Sequence, residues 1–292
     1  MGTEISSNNV SIIIPAKNEA AGLKLILPTL KTLLKDAEII VINDGSTDNT
    51  AEVCQSYSVD CKTHPYSMGN GAAIKTGARA ANREILICMD ADGQHQPQDV
   101  SRLIRKLSEG YDMVVGARGA SGQANFGRLA ANSLYNKLAS WIVDQKVLDL
   151  TSGFRAVRTQ KFKEYIHLLP NGFSYPTTIT MSFFRAGYPI AYEPIRAQKR
   201  EGKSHIKPLR DGVRFFLIIF KVGTLYSPLK LFLPISLAHF ALGLGYYAFT
   251  YISAGRFTNM SALLLTTAVI IFLIGLVSEQ ITTLIFQQRE RK

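Results

Sequence analysis

Ile85-Leu86-Ile87-Cys88-Met89-Asp90-Ala91-Asp92-Gly93-Gln94 is an apolar run that ends in two carboxylates one residue apart, then glycine, then an amide. A strand buried on both faces of a parallel sheet reads as such a continuous apolar run. Open α/β sheets gather their function at the carboxyl ends of their strands. Asp-x-Asp at a strand end sets two hard oxygen donors at the mouth of a crevice. Mg²⁺ and Mn²⁺ take such donors, usually one or two carboxylates completed by substrate phosphates. The plain alternative is a solvated Asp-Gly turn.

Outward from this strand, the pattern repeats. Val10 to Ile14 is apolar and strand-like, with Pro15 expected to stop it, and a helical pattern follows from Glu19 to Lys35. Ile39 to Ile42 forms a second strand ending in Asn43-Asp44-Gly45-Ser46-Thr47-Asp48, where Ser46, Thr47 or Asp48 can cap a helix beginning near Asn49. Val59 to Thr63 is a short third strand. Met68 to Lys75 is a glycine-bearing loop entering a helix, which suits either an anion at the helix start or a plain helix start. It has no Gly-Lys-Ser/Thr and no third glycine, which excludes a P-loop and a dinucleotide fingerprint. Helices are predicted over Pro97–Leu107, Phe126–Val143 and Tyr175–Ala186, with strands over Asp112–Gly116, leading to Arg118, and near Pro189–Pro194. Such alternation over residues 10–195 predicts an α/β domain with a largely parallel, Rossmann-like sheet covered on both faces.

The 292 residues carry a formal charge of +11. Nine Lys/Arg fall between Arg196 and Lys230, against Glu201 and Asp211. Charge concentrated just ahead of an apolar span suits an anionic membrane face or phosphate groups, and argues against nucleic acid as the partner. Cys54, Cys61 and Cys88 show no C-x-x-C spacing, so a reducing compartment without disulfides is expected. No signal peptide is apparent at the N-terminus, which keeps this part of the chain in the cytoplasm.

Leu231–Ile252 and Met260–Val277 contain no Asp, Glu, Lys or Arg, and the second apolar stretch resumes to Phe286. About 20 helical residues cross a bilayer core. Two spans are therefore expected, at about 231–252 and 260–286, in a membrane segment covering 229–292. The intervening loop holds Arg256 alone, whereas both flanks are basic, so both ends of the pair face the cytoplasm. Tyr246, Tyr247 and Tyr251 would form an aromatic belt, and Glu279 a helix contact or snorkelling group. Residues 208–228, with the short apolar run from Arg214 to Lys221, suit a helix lying in the membrane interface between this segment and a catalytic domain over 1–207.

Four strand ends thus present Pro15–Glu19, Asp44–Asp48, Asp90–Gln94 and Arg118 along one edge. Together, Ile13-Ile14-Pro15-Ala16-Lys17-Asn18-Glu19, Asn43-Asp44-Gly45-Ser46-Thr47-Asp48 and Asp90-Ala91-Asp92-Gly93-Gln94 resemble glycosyltransferase family 2, specifically its polyprenyl-phosphate enzymes of the dolichol-phosphate mannose synthase type. The resemblance covers about residues 9–215 and implies a GT-A fold. It also implies a hexose transfer from a nucleotide-diphosphate sugar to an undecaprenyl or dolichyl phosphate, with a UDP-sugar favoured over GDP-mannose. By resemblance, Pro15, Ala16, Asn18 and Glu19 line the nucleotide pocket, with Asp44 and Ser46 toward the base or ribose. Asp90, Asp92 and Gln94, with Ala91 between, hold Mg²⁺ or Mn²⁺ and the donor diphosphate. Arg118 and Arg128 match the binders of the lipid phosphate. The family often has Asp where Asn43 stands, and Ser where Asn132 stands beside Ser133. Arg200 and Lys203 match a basic loop that closes over the diphosphate. Asp92, Arg118, Arg128, Arg200 and Lys203 make up the catalytic set. A homo-oligomer is in keeping with the family, and two spans are too few for a lipid-translocating pore, which assigns product flipping to a separate protein.

The rival readings are a processive polysaccharide synthase, a nicotinamide oxidoreductase and a non-catalytic nucleotide-binding membrane protein. The first lacks its Gln-x-x-Arg-Trp pattern here, since the only Trp, Trp141, follows Ser140. The second lacks its glycine fingerprint.

Overall fold

A computed structural model describes residues 7–118, 126–172, 174–195, 217, 220–221 and 223–290. Arg200, Lys203 and most of the interfacial segment expected before the spans lie outside these residues. Within the N-terminal unit the elements are β1 (Val10–Ala16), α1 (Ala20–Leu33), β2 (Glu38–Asn43), α2 (Thr50–Ser56), β3 (Asp60–Thr63) and α3 (Asn70–Ala80). They continue with β4 (Ile85–Cys88), α4 (Pro97–Ser108), β5 (Met113–Arg118), α5 (Phe126–Val143, in this unit as far as Ser140), β6 (Arg155–Arg158), α6 (Thr159–Glu164), α7 (Tyr175–Arg185) and β7 (Ile190–Ile195).

The seven strands form one sheet in the order β3-β2-β1-β4-β6-β5-β7. All but β6 run the same way; β6 pairs antiparallel with both β4 and β5. The sequence pattern did not reveal β6. Its four residues begin and end with arginine, yet Arg155, Ala156 and Val157 are all fully buried, which makes the segment internal. The chain order reverses between β1 and β4, the place where open α/β sheets open a ligand crevice. The carboxyl ends of the parallel strands share that edge. Because β6 runs backwards, its amino end arrives there too.

Pro15 does not end β1, contrary to expectation; it pairs in register with Ile42, and Ala16 with Asn43. Ile13 accepts a hydrogen bond from the Met89 N–H, so odd-numbered residues of β1 face β4. β4 ends at Cys88 opposite Ile13, so the N–H that Pro15 lacks has no strand to pair with. Ile12 and Ile14 pack with Leu23 and Leu27 of α1 and Leu103 and Leu107 of α4 in one core. Ile13 points to the opposite face, onto Gly77 of α3. Each such fully buried aliphatic side chain is worth roughly 1.5–3 kcal/mol of transfer energy.

The second unit comprises Trp141–Asp144 and Leu209–Lys292. Its long helices are α8 (Pro228–Ala254) and α9 (Asn259–Glu290), each with 27 residues long and apolar enough to cross a membrane. Only 11% and 17% of their apolar windows are buried, unlike core helices of a water-soluble protein. The helices pack closely: a Cβ on Gly275 would stand 2.6 Å from Cβ of Phe232. Ser236 Oγ donates to the Ala268 carbonyl at 2.8 Å, and Glu279 accepts the Leu229 N–H at 3.2 Å, so Glu279 makes a helix contact. Tyr247 meets the Tyr251 ring at a tilt and the Phe257 ring edge-on near the turn between the helices. Lys230 pairs with Asp144 and donates to the Ile142 carbonyl.

Candidate active site

The turns after β1 and β2 are tied to each other. The Asn18 N–H donates to Ser46 Oγ at 2.9 Å, and Asn18 Oδ1 accepts the Thr47 N–H at 2.8 Å. Asn18 holds φ at 56°, a left-handed conformation that asparagine tolerates better than most residues. Of the three candidate caps, Asp48 does the work: its carboxylate accepts N–H groups from both Ala20 and Thr50 and so starts α1 and α2 together. Asn43 Oδ1 accepts the Ser46 N–H at 3.0 Å.

Asp44 is 4% exposed and accepts four hydrogen bonds. Oδ1 takes His64 Nδ1 and the Met68 N–H, and Oδ2 takes Ser67 Oγ and the Gly69 N–H, all at 2.7–2.9 Å. A carboxylate offers about four lone-pair sites, so this set fills it. Burial alone would raise its pKa, but the donors outweigh burial and hold it below the ordinary value. Asp44 is thus the anchor of the loop that leads into α3. The start of α3 is a plain helix start: the Gly71 and Ala72 N–H groups donate to the carbonyls of Gly172 and Asn171. Gly71 permits that docking, since a Cβ there would lie 2.0 Å from the Pro170 carbonyl oxygen.

Beyond β4, Asp90 reaches the crevice and Asp92 Oδ1 accepts the Gln94 N–H at 3.1 Å. α1 presses against this turn, where a Cβ on Gly22 would stand 2.0 Å from the Ala91 carbonyl oxygen. The Asp90 side chain keeps 37% exposure. Burial raises the Asp90 pKa against the pull of His95; Asp92 adds to the rise, and Arg118 and Arg155 oppose it. His95, only 5% exposed, lies 3.9 Å from the Asp90 carboxylate, accepts the Asp90 N–H at Nδ1 and stacks on Phe154.

Arg118, at the end of β5, sits within electrostatic reach of Asp90. It is gripped by Asp149: Nε donates to Oδ2 at 2.8 Å and Nη2 to Oδ1 at 3.0 Å, while Nη2 also donates to Thr151 Oγ1 at 2.6 Å. The segment leading into β6 passes close to Asp90, where a Cβ on Gly153 would lie 3.0 Å from Asp90 Oδ2. Behind it, Arg155 is fully buried, donates to the carbonyls of Ser152 and Pro176 and to Thr180 Oγ1, and lies over the Tyr175 ring.

The structure therefore brings Pro15, Ala16, Asn18 and Glu19, Asp44 and Ser46, Asp90 to Gln94, and Arg118 to one sheet edge. Arg128 stands in the first turn of α5, and Ser133 is exposed farther along it. Sequence reasoning missed His95, Asp149, Thr151 and Arg155 as parts of this site. Asp149 to Arg155 stood out as a polar stretch, but only the reversed direction of β6 carries it to the crevice.

Two carboxylates on one turn fit Mg²⁺ or Mn²⁺ bound jointly with a substrate diphosphate, rather than an all-protein cage. No cluster of three or more His, Cys, Asp or Glu suited to a metal occurs among the described residues.

Residues 11–166 match the model of glycosyl transferase family 2, and residues 227–284 match the GtrB C-terminal hairpin. The chain is 28% identical to the putative glycosyltransferase CsbB of Bacillus subtilis, over 97% of this chain and 89% of that one. It is 25% identical to a dolichyl-phosphate hexose transferase of Haloferax volcanii, over 75% and 96%. Glucosyl-3-phosphoglycerate synthase of Mycobacterium tuberculosis, crystallised with Mn²⁺ and UDP, superposes with a TM-score of 0.59 at 21% identity, over 72% of this chain and 79% of that one. The fold is GT-A. An Asp-x-Asp turn at the β1/β4 crevice, on a sheet of this topology and within so long a family match, leaves one conclusion: the chain is a glycosyltransferase and belongs to glycosyl transferase family 2.

Proposed function

We propose that this enzyme moves a hexose from a nucleotide-diphosphate sugar to a polyprenyl phosphate, undecaprenyl or dolichyl, with inversion at the anomeric carbon. The observation that carries the reading is Arg118, held by Asp149 and Thr151 at the sheet edge that carries Asp90 and within electrostatic reach of it, in a chain that also bears two span-length helices. The similarity to a dolichyl-phosphate hexose transferase supports it. A UDP-sugar is the favoured donor and GDP-mannose the alternative.

Asp90 and Asp92, with Gln94 beside them, would hold Mg²⁺ or Mn²⁺ and through it the donor diphosphate. When bound, the cation supplies positive charge to the departing diphosphate. Asp44 acts on the nucleoside pocket through the loop it anchors. Pro15, Ala16 and Glu19 offer the turn where the nucleotide lies, and the Asn18–Ser46 tie fixes that turn to its neighbour. A lipid monophosphate has a second pKa of about 6, is largely dianionic at pH 7 and needs no general base. The protein's work is to bring two anions together and orient them. Arg118 takes the lipid phosphate; Arg128, Ser133, Arg200 and Lys203 join it by resemblance. The catalytic unit and both ends of the hairpin lie on the cytoplasmic side, and the product is flipped by another protein.

Purified protein given labelled UDP- and GDP-sugars tests this. Label should enter the lipid only with polyprenyl phosphate present, and EDTA should stop it. Nucleotide-sugar binding without transfer would favour the non-catalytic reading.

A further inference from the structure

Arg118 offers five N–H donors in a rigid planar fork. Asp149 and Thr151 engage its Nε and Nη2 edge, and the Arg118 backbone N–H also donates to Asp149 Oδ2 at 3.2 Å. Nη1 has no hydrogen-bond partner among the described residues. Asp149 is itself immobilised. Its side chain is 7% exposed and accepts the Thr151 and Ser152 N–H groups at 3.1 Å. The strap around it is fastened from three elements. Ser152 Oγ donates to the Gly116 carbonyl of β5 at 2.6 Å, and Asn136 of α5 bonds both the Leu148 carbonyl and the Leu150 N–H. Tyr175 of α7 donates its hydroxyl to the Gly153 carbonyl at 2.9 Å. So much fastening exceeds what one ion pair on a surface turn needs.

We infer that Asp149 is a positioning residue for the acceptor: with Thr151 it holds one edge of Arg118 and leaves the Nη1 edge as the face that receives the lipid phosphate beside Asp90. The inference rests on the reading of Arg118 as the acceptor's ligand. It makes a prediction that simple electrostatics reverses. Asp149 cancels part of the Arg118 charge, so by Coulomb attraction alone its neutralisation would tighten anion binding. A positioning role requires the opposite, because misplacing a binding group by about 1 Å can cost on the order of 100-fold.

The test uses the full chain in detergent with a short polyprenyl phosphate and the donor that supports transfer. Asp149→Asn keeps an oxygen for the Thr151 and Ser152 N–H groups but loses the two-pronged grip. It should raise the acceptor KM about 10- to 100-fold while the donor KM stays within about twofold. Thr151→Val, which leaves the carboxylate and the turn in place, should raise the acceptor KM about fivefold. In an Arg118→Gln background, Asp149→Asn should add nothing further, since residues acting as one unit are non-additive. A role in folding alone would add its cost in either background. An acceptor KM that is unchanged or lowered in Asp149→Asn overturns the inference. If Asp149→Asn fails to fold, an unchanged acceptor KM in Thr151→Val does so. Should Arg118→Gln itself leave the acceptor KM unmoved, the acceptor reading of Arg118 falls, and the inference falls with it.

Discussion

Asp44 and Asp92 follow β2 and β4, the two strands that flank β1, at one sheet edge, and substitution separates what each does. Asp92 makes a local turn contact that asparagine can reproduce through its remaining oxygen. Asp92→Asn should therefore keep the wild-type thermal midpoint while transfer falls by about 10³-fold or more, the scale of losing electrostatic stabilisation of a leaving group. Near-normal turnover would remove the metal assignment. Asp44 also answers to stability. Its folded pKa is depressed by its four donors, so its contribution is fully present above the unfolded value near 3.9 and is lost as pH falls through the lower folded value. Asp44→Asn should cost about 1–3 kcal/mol at pH 7 in denaturant unfolding, with the gap to wild type closing below about pH 4. A gap that stays constant with pH would show that the depressed ionisation contributes nothing.

At the scale of elements, the site depends on how closely helices and strands approach. α1 meets the Asp90–Asp92 turn at Gly22, where a methyl group would collide with the Ala91 carbonyl. Gly22→Ala should cost about 1–3 kcal/mol of stability and weaken Mn²⁺-dependent nucleotide binding, measured by calorimetry. Unchanged binding would mean that α1 does not set the turn. The same scale explains what sequence reading could and could not reach. β1, β2, β4 and β5 are apolar runs buried on both faces, and each hands its polar residues to the edge by the simple rule of parallel sheets. β6 is four residues long, starts and ends with arginine, and stabilises Arg155 through carbonyls, Thr180 and Tyr175 that come from α7 and the preceding strap. Nothing local in Arg155-Ala-Val-Arg158 signals a buried strand. Missing β6 meant missing that Asp149 meets Arg118. Pro15 misled for a related reason, because a proline is harmless in a central strand once its neighbour has ended.

For the whole molecule, two helices among the described residues are long and apolar enough to cross a membrane. The full chain should remain in the membrane pellet through alkaline carbonate extraction, which releases proteins held only by surface charge. In sealed inside-out vesicles, protease should reach the catalytic unit and leave the α8–α9 turn protected; protection of the catalytic unit would reverse the proposed orientation. The decisive measurement is transfer of labelled hexose to a short polyprenyl phosphate by the purified chain in Mn²⁺, with EDTA and Arg118→Gln as paired arms. The account predicts a lipid-linked sugar of inverted anomeric configuration, abolished by EDTA and starved of acceptor by Arg118→Gln. Equal transfer in all three arms, or sugar delivered to water or a soluble phosphate in preference to the lipid, would contradict it.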